Sequence, residues 1–232
     1  MTDDLFDLSL CMGIALFIYT SLGILYRFFG KLGLFCFNVL LSIISSIVIL
    51  NKLKAFEMYL NISGIIFLST LFSLNLITEK YNKKEAIDSA ILCFLLKMTF
   101  TIMIQFTLRF NHSKSDQLGI HLKILFYNFE YMVTVLIGTY LFFLFQYINI
   151  LLYYYFKVKM KSLWIIHPLS RLISGLLAGL TSYISINGLL KFYPEVRVKG
   201  LTNGSLTLTL IIITIDTIFY LFLNSWERVD EV

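Results

Sequence analysis

Long apolar runs separated by short polar segments recur along the whole chain. Each run has about 20 residues, the length that a helix needs to cross the hydrocarbon core of a membrane. Strict alternation of apolar and polar residues is absent, so the runs predict helices rather than strands. We expect seven spans, at about Leu8–Phe29, Leu32–Leu50, Met58–Ile77, Ala86–Leu108, Ile124–Phe156, Leu163–Leu190 and Leu206–Leu223.

The fifth run is too long for one upright span, since at 1.5 Å per residue it would reach about 50 Å. We expect its end around Glu130 to be interfacial or tilted, with the spanning part beginning near Tyr131. A polar loop from Arg109 to Lys123 precedes this run, and a polar hairpin with Pro194 and Asn203-Gly204 precedes the last one.

Composition supports a membrane protein. Hydrophobic residues make up 58% of the chain and charged residues 14%, and the mean hydropathy is +0.82. Soluble domains are about 45–50% apolar and 25% charged, so this chain has too few charges to cover a surface in water. We therefore expect an all-α, polytopic helical bundle that forms a single integral membrane domain over residues 1–232.

The positions of the basic residues indicate membrane topology rather than binding of a nucleic acid. The formal charge of +5 comes from Lys and Arg residues in short loops, as membrane topology requires. The acidic N-terminus precedes the first span without Lys or Arg, whereas Arg27 and Lys31 follow that span. This asymmetry predicts that the N-terminus lies outside the cell and, with seven spans, the C-terminus inside it. The membrane is expected to be the inner or plasma membrane. The N-terminus also lacks the features of a cleaved signal peptide, so the first helix is expected to stay.

No catalytic or metal-binding motif is recognisable. H-E-x-x-H, Walker and G-x-S-x-G patterns are all absent. Cys11, Cys36 and Cys93 lie singly in separate runs, which suggests neither disulfides nor zinc. Ser170 has His167 three residues earlier, and we interpret that pair as a packing hydrogen bond. We predict no enzyme activity, no cofactor and no metal.

Polar side chains within the apolar runs are the main candidates for function, because such groups usually face the bundle interior. Three runs carry them at spacings of three or four residues, which places them on one helix face: Asn75, Thr78 and Glu79, then Gln146 and Asn149, then Ser170 and Ser174. A single pair is explained equally well by an interhelical hydrogen bond, worth about 0.6 kcal/mol. Three such faces together predict a polar interior cavity.

Four ionisable residues lie near or within the spans, namely Lys97, Glu130, Arg171 and Asp216. Lys97 and Asp216 are the most central of them. Pairing with each other would give each a counter-ion.

Four segments carry distinctive motifs, namely residues 25–34, Asn75–Ala86, Gln146–Asn149 and Trp164–Gly179. In these segments the chain resembles the queuosine precursor transporter family, also called the vitamin uptake transporter family. Residues 25–34 are similar to the opening of the long form of that family. Asn75–Ala86 is similar to its signature after the third span, Gln146–Asn149 to a Gln-x-x-Asp motif, and Trp164–Gly179 to its Leu-Trp-x-x-x-x-x-Ser-x-x-x-Ser helix. The order and spacing agree over roughly residues 20–225.

This resemblance implies a six-helix core with an additional N-terminal helix packed outside it. It also implies import of a small molecule, a 7-deazaguanine-type base. The positions that correspond to the family's polar and aromatic site residues are Ser46, Asn75, Glu79, Gln146, Asn149, Trp164, Ser170 and Ser174.

Several of these positions depart from the family pattern. Asn75 and Asn149 stand where the family has Asp, and Gly175 and Ala178 stand where it has Gln and Asp. Without those carboxylates, a bound cation lacks an anionic partner on these helices, so we expect weaker selection for aminated bases than for neutral ones. The small residues around Gly175-x-x-x-Gly179 predict a packing seam at the same place.

Two functions remain open at this point. The first is a transporter that imports a queuosine precursor or a related small molecule. The second is a diverged member that keeps the fold as a non-transporting partner or scaffold. A polar cavity lined by Asn75, Gln146, Asn149 and Ser170 favours the first, and a dry, filled interior favours the second.

Overall fold

The computed structural model describes residues 2–48, 52–55, 58–109, 129–190 and 199–224. These residues form six helices and two short strands, which we number in chain order. They are α1 (Thr2–Val48), β1 (Lys52–Ala55), β2 (Met58–Asn61), α2 (Ile62–Lys80), α3 (Lys83–Thr107), α4 (Phe129–Lys159), α5 (Leu163–Leu190) and α6 (Lys199–Asn224).

Helix α1 reverses direction at Gly30. This residue has φ 55° and ψ −126°, a conformation that glycine adopts far more readily than other residues. A Cβ atom on Gly33 would lie 2.2 Å from the carbonyl oxygen of Leu25, although eight residues along a continuous helix span about 12 Å. The arms 2–29 and 31–48 therefore form a tight helical hairpin.

With this reversal, the described residues contain seven helical segments, as the hydrophobic pattern predicts. Five of the helices are long and apolar enough to cross a membrane, and Ser9–Val48, one of those five, contains both arms of α1. Thr207–Leu223 adds a shorter apolar stretch in α6. The prediction of an all-α, multi-pass membrane bundle is confirmed.

Two element boundaries differ from the prediction. The third span was expected from Met58, but Met58–Asn61 pairs antiparallel with Lys52–Ala55, and the helix begins at Ile62. A short apolar run does not distinguish a strand from the start of a helix. Asn203-Gly204 was expected in a hairpin and instead lies within α6.

Other expectations fall outside the described residues. These are the loop beyond Arg109, the hairpin residue Pro194 and the side chain of Glu130.

Helix α2 occupies the centre of the bundle. It is buried over nearly its whole length, from Ile65 to Thr78, and it contacts α1, α3, α4, α5 and α6. The first arm of α1 buries one face, where the Tyr19 ring packs edge-on against Phe72 at 5.6 Å. Many large apolar side chains on the surrounding helices are exposed, as expected of surfaces that face lipid.

Several basic residues of the described chain lie together at one side of the membrane. The tip of α1 and the start of α3 meet there, since Lys31 Nζ lies 3.2 Å from Glu85 Oε2. The end of α4 joins them, with Lys83 Nζ 5.1 Å from the centre of the Tyr154 ring. We call this the basic side; it also carries Lys157, and it corresponds to the side predicted to be inside the cell.

Candidate functional site

Asn149, Asn75 and Ser170 form a chain of buried hydrogen bonds across α4, α2 and α5, which we call the amide relay. Asn149 Nδ2 donates to Asn75 Oδ1 at 2.7 Å, and Asn75 Nδ2 donates to Ser170 Oγ at 3.0 Å. Ser170 Oγ donates in turn to the backbone carbonyl of His167 at 3.2 Å. All three relay side chains are inaccessible to solvent. The relay brings together the polar faces of three helices.

Polar atoms without a partner surround the relay. Gln146, one turn before Asn149, donates through Nε2 to Thr70 Oγ1 at 3.2 Å. Within the described part of the chain, Gln146 Oε1, Asn149 Oδ1 and Ser174 Oγ have no hydrogen-bond partner. An unsatisfied buried polar atom costs about 1–3 kcal/mol and calls for an explanation. Each of these atoms keeps unused hydrogen-bonding capacity in the bundle interior.

Glu79 turns inward at the last turn of α2 and forms a carboxylate cluster with His167, Tyr153 and Tyr220. Its Oε2 atom lies 2.7 Å from His167 Nε2. The same oxygen accepts hydrogen bonds at 3.1 Å from the hydroxyls of Tyr153 and Tyr220. Its side chain is only 5% exposed. The interior thus contains a carboxylate contributed by a helix end rather than by the positions of Asn75 and Asn149.

Two lysines place the carboxylate cluster near the basic side of the membrane. Lys80 Nζ lies 3.3 Å from Glu79 Oε1. Lys157 Nζ donates to the backbone carbonyl of Glu79 at 3.2 Å. Both Glu79 oxygens therefore already have cationic or hydrogen-bonding neighbours.

A pair between Lys97 and Asp216, which the sequence left open, does not form, because Asp216 on α6 pairs with Arg171 on α5. Neither side chain of that pair is exposed. Arg171 Nε also donates to the backbone carbonyl of His167 at 2.9 Å, and its guanidinium lies 4.9 Å from the centre of the Phe72 ring. A buried charge needs such a partner because water no longer solvates it.

Lys97 instead lies in a separate polar region between α1 and α3. Its Nζ atom donates to Ser45 Oγ at 2.8 Å and sits 4.3 Å from the centre of the Phe142 ring. In the same region, Asn38 Nδ2 donates to Ser89 Oγ at 3.1 Å. This region shares no residue with the amide relay.

The predicted site residues separate into two groups. Asn75, Asn149 and Ser170 are bonded directly to one another, and Glu79, Gln146 and Ser174 are buried on the same three helices. Trp164 is 54% exposed, so its side chain lies on the outer surface. Ser46 is buried in the second arm of α1.

Sequence reasoning missed the tyrosines of the carboxylate cluster. Tyr153 follows Gln146 and Asn149 at i+7 and i+4, a spacing that places it on the same helix face. That spacing was a usable signal. His167 was interpreted as the partner of Ser170, but its ring faces Glu79, and Ser170 bonds only to its backbone carbonyl.

The predicted packing seam on α5 is present at Gly175. A Cβ atom there would lie 3.3 Å from Thr209 Cγ2 and 3.4 Å from Leu68 Cδ2. A Cβ atom on Gly179 would meet no described atom within 4 Å. Among the described residues, helix α5 thus packs closely on α6 and α2 at Gly175 and not at Gly179.

Comparison with known proteins places the chain among transporters. A family model described as "Putative vitamin uptake transporter" matches residues 61–223, a region that contains the amide relay and the carboxylate cluster. A "Probable queuosine precursor transporter" of Bacillus subtilis (strain 168) is 23% identical over 142 residues. That alignment covers 61% of this chain and 61% of the relative, and no solved structure matches. The chain belongs to the vitamin uptake transporter family.

Proposed function

We propose that this protein imports a queuosine precursor, a base of the 7-deazaguanine type, across the inner or plasma membrane without changing it chemically. The amide relay is the observation that carries the proposal. Among the described residues, no donor reaches the buried acceptors Gln146 Oε1 and Asn149 Oδ1 beside the relay, and a guanine-like base presents N–H donors along one edge. Binding such a base removes the cost of leaving these acceptors unpaired.

A neutral base fits this site better than an aminated one. Glu79 is linked to the relay through His167. Its carboxylate oxygens already contact Lys80, His167 and two tyrosine hydroxyls. Asn75 and Asn149 supply hydrogen bonds without charge. An ammonium group that left water for this site would therefore lack a free counter-ion.

The alternative, a non-transporting scaffold, requires a dry and filled interior. Between α2, α4 and α5, the atoms Gln146 Oε1, Asn149 Oδ1 and Ser174 Oγ have no partner in the part of the chain that the structure describes. A chain selected only for packing gains nothing from such atoms, since each of them lowers stability. The polar interior supports transport over a scaffold role.

Uptake in cells that lack their own importer tests the proposal. Cells that express the protein should accumulate labelled 7-deazaguanine. They should take up labelled queuine, which carries an amine, more slowly than 7-deazaguanine. Asn75→Ala and Gln146→Ala should each lower uptake roughly tenfold, the effect of losing about 1.4 kcal/mol of binding. Asn38→Ala is the matched control, because it removes a buried amide that bonds Ser89 outside the relay. The amount of each variant in the membrane fraction normalises the rates.

Three results would contradict this reasoning separately. Uptake no faster than in cells with an empty vector would refute transport of these bases. Undiminished uptake by both Asn75→Ala and Gln146→Ala would refute the relay, together with the neighbouring Gln146, as the recognition surface. Queuine uptake as fast as that of 7-deazaguanine would refute the preference for neutral bases.

A further inference from the structure

The buried imidazole of His167 is arranged to accept a proton. Its Nε2 atom lies 2.7 Å from Glu79 Oε2, so a neutral ring beside an ionised carboxylate carries its proton on Nε2. The Nδ1 atom then holds a lone pair, and it has no partner within the described part of the chain. A proton added at Nδ1 converts the contact into an imidazolium–carboxylate pair.

The surroundings supply a counter-ion for the charged ring. The titratable and charged groups around His167 are Glu79 and Lys80 from α2, Tyr153 and Lys157 from α4, Arg171 from α5, Tyr220 and Asp216 from α6, and Tyr19 from α1 beside Asp216. Arg171 is balanced by Asp216. Glu79 contacts Lys80 through Oε1 and the His167 ring through Oε2, so among the described residues it is the carboxylate that faces the ring directly.

The residue that carries this ring also anchors the amide relay. The backbone carbonyl of His167 accepts from Ser170 Oγ at 3.2 Å and from Arg171 Nε at 2.9 Å, and Asn75 Nδ2 lies 3.5 Å away. The next residue, Pro168, has no N–H group, so α5 lacks one backbone hydrogen bond at this turn. The bond that is missing is the one to the carbonyl of Trp164, whereas the relay side chains add contacts at the carbonyl of His167. A change of charge at the ring and a change of ligand at the relay act on the same helical turn.

We propose that the protein is a proton symporter in which His167, with Glu79 as its counter-ion, carries one proton with each molecule of base. The inference rests on the proposed function, since the proton moves only with a transported base. The proton enters from water on one side, binds at Nδ1, and is released to water on the other side. Transport of a neutral base then moves one positive charge.

The steady-state accumulation of base tests this coupling. The purified full chain is reconstituted in liposomes whose lumen is one pH unit more alkaline than the outside, with potassium and valinomycin holding the membrane potential at zero. With one proton per base, labelled 7-deazaguanine should accumulate about tenfold inside, and a protonophore should bring this ratio to about one. The ratio is an equilibrium quantity, so it does not depend on how much of the protein is active.

Variants assign the coupling to the site. His167→Gln and Glu79→Gln should each give an accumulation ratio near one. Glu85→Gln is the matched control, because this carboxylate lies on the same side of the membrane but pairs with Lys31, and its ratio should stay about tenfold. If one of the two site variants fails to fold, the other still tests the assignment. Acidification of the lumen of unaltered liposomes on adding base, read with an enclosed pH dye, tests the coupling without any variant.

Each contrary result has its own meaning. Base that enters through the unaltered protein but never exceeds its outside concentration overturns proton coupling and leaves import standing. Base that enters no faster than into protein-free liposomes overturns import and the coupling with it. A ratio of about ten in both His167→Gln and Glu79→Gln overturns the assignment of the proton to this pair.

Discussion

The ion pair between Arg171 and Asp216 gives a quantitative test of the bundle interior. Neither side chain is exposed. Asp216→Asn keeps the shape of the side chain but removes the negative charge that balances the guanidinium of Arg171, whose other described contacts are a backbone carbonyl and the ring of Phe72. Removing one partner of a buried pair costs about 3–5 kcal/mol. The insertion cost of an unpaired arginine at a helix centre, about 2.5–3.5 kcal/mol, is of similar size. We therefore expect a loss of about 3–5 kcal/mol in the free energy of unfolding.

Reversible unfolding in mixed micelles measures this loss. The purified protein is titrated with sodium dodecyl sulfate, and helical circular dichroism reports the folded fraction. Arg171→Met combined with Asp216→Leu removes both charges, and such replacements are often neutral or stabilising by about 1–4 kcal/mol. Glu85→Gln breaks the partly exposed pair with Lys31 and should cost about 0–1 kcal/mol.

Two outcomes would refute this reasoning. If Asp216→Asn costs no more than Glu85→Gln, the pair is not a buried pair of charges. If the double variant is no more stable than Asp216→Asn alone, the cost does not come from an orphaned arginine.

Two further predictions concern packing and burial, and thermal unfolding in detergent measures both. Lys97→Met should raise stability by about 1–3 kcal/mol, because it removes a charge that is costly in a membrane span. The described partners of that charge are a hydroxyl and an aromatic ring. Lower stability of the variant would contradict this prediction. Gly175→Gln should lower stability by about 1–3 kcal/mol through overpacking, since a Cβ atom there already meets Thr209 at 3.3 Å. Gly179→Gln, at an open position, should stay close to the unaltered protein, and equal losses in both variants would disprove the seam.

The sequence predicts the membrane spans well because hydrophobic length is a direct requirement of the bilayer. The spans at Leu32–Leu50 and Leu163–Leu190 agree with the observed helices within a few residues. Met58–Asn61 was misassigned because four apolar-rich residues next to a helix carry no periodicity that separates strand from helix. The strand depends on its partner Lys52–Ala55.

The candidate site was predictable where helix spacing alone decides which side chains share a face. Asn75, Asn149 and Ser170 were expected to converge on this basis, and they are hydrogen-bonded. The partner of Asp216 was not predictable, because it lies 45 residues away on another helix and spacing within one helix does not fix the rotation of two helices. Trp164 was assigned by resemblance alone, and it faces outward.

The one-residue reversal at Gly30 limits how the orientation of this protein can be mapped. Reporter enzymes or epitopes inserted in connecting segments reveal which compartment a segment faces, provided that the segment has room for them. There is no such room between Leu25 and Gly33, because the two backbones nearly touch. An insertion there would displace the arm of α1 that packs Tyr19 against Phe72. Residues 160–162, between α4 and α5 on the same side of the membrane, are the better place for such a reporter.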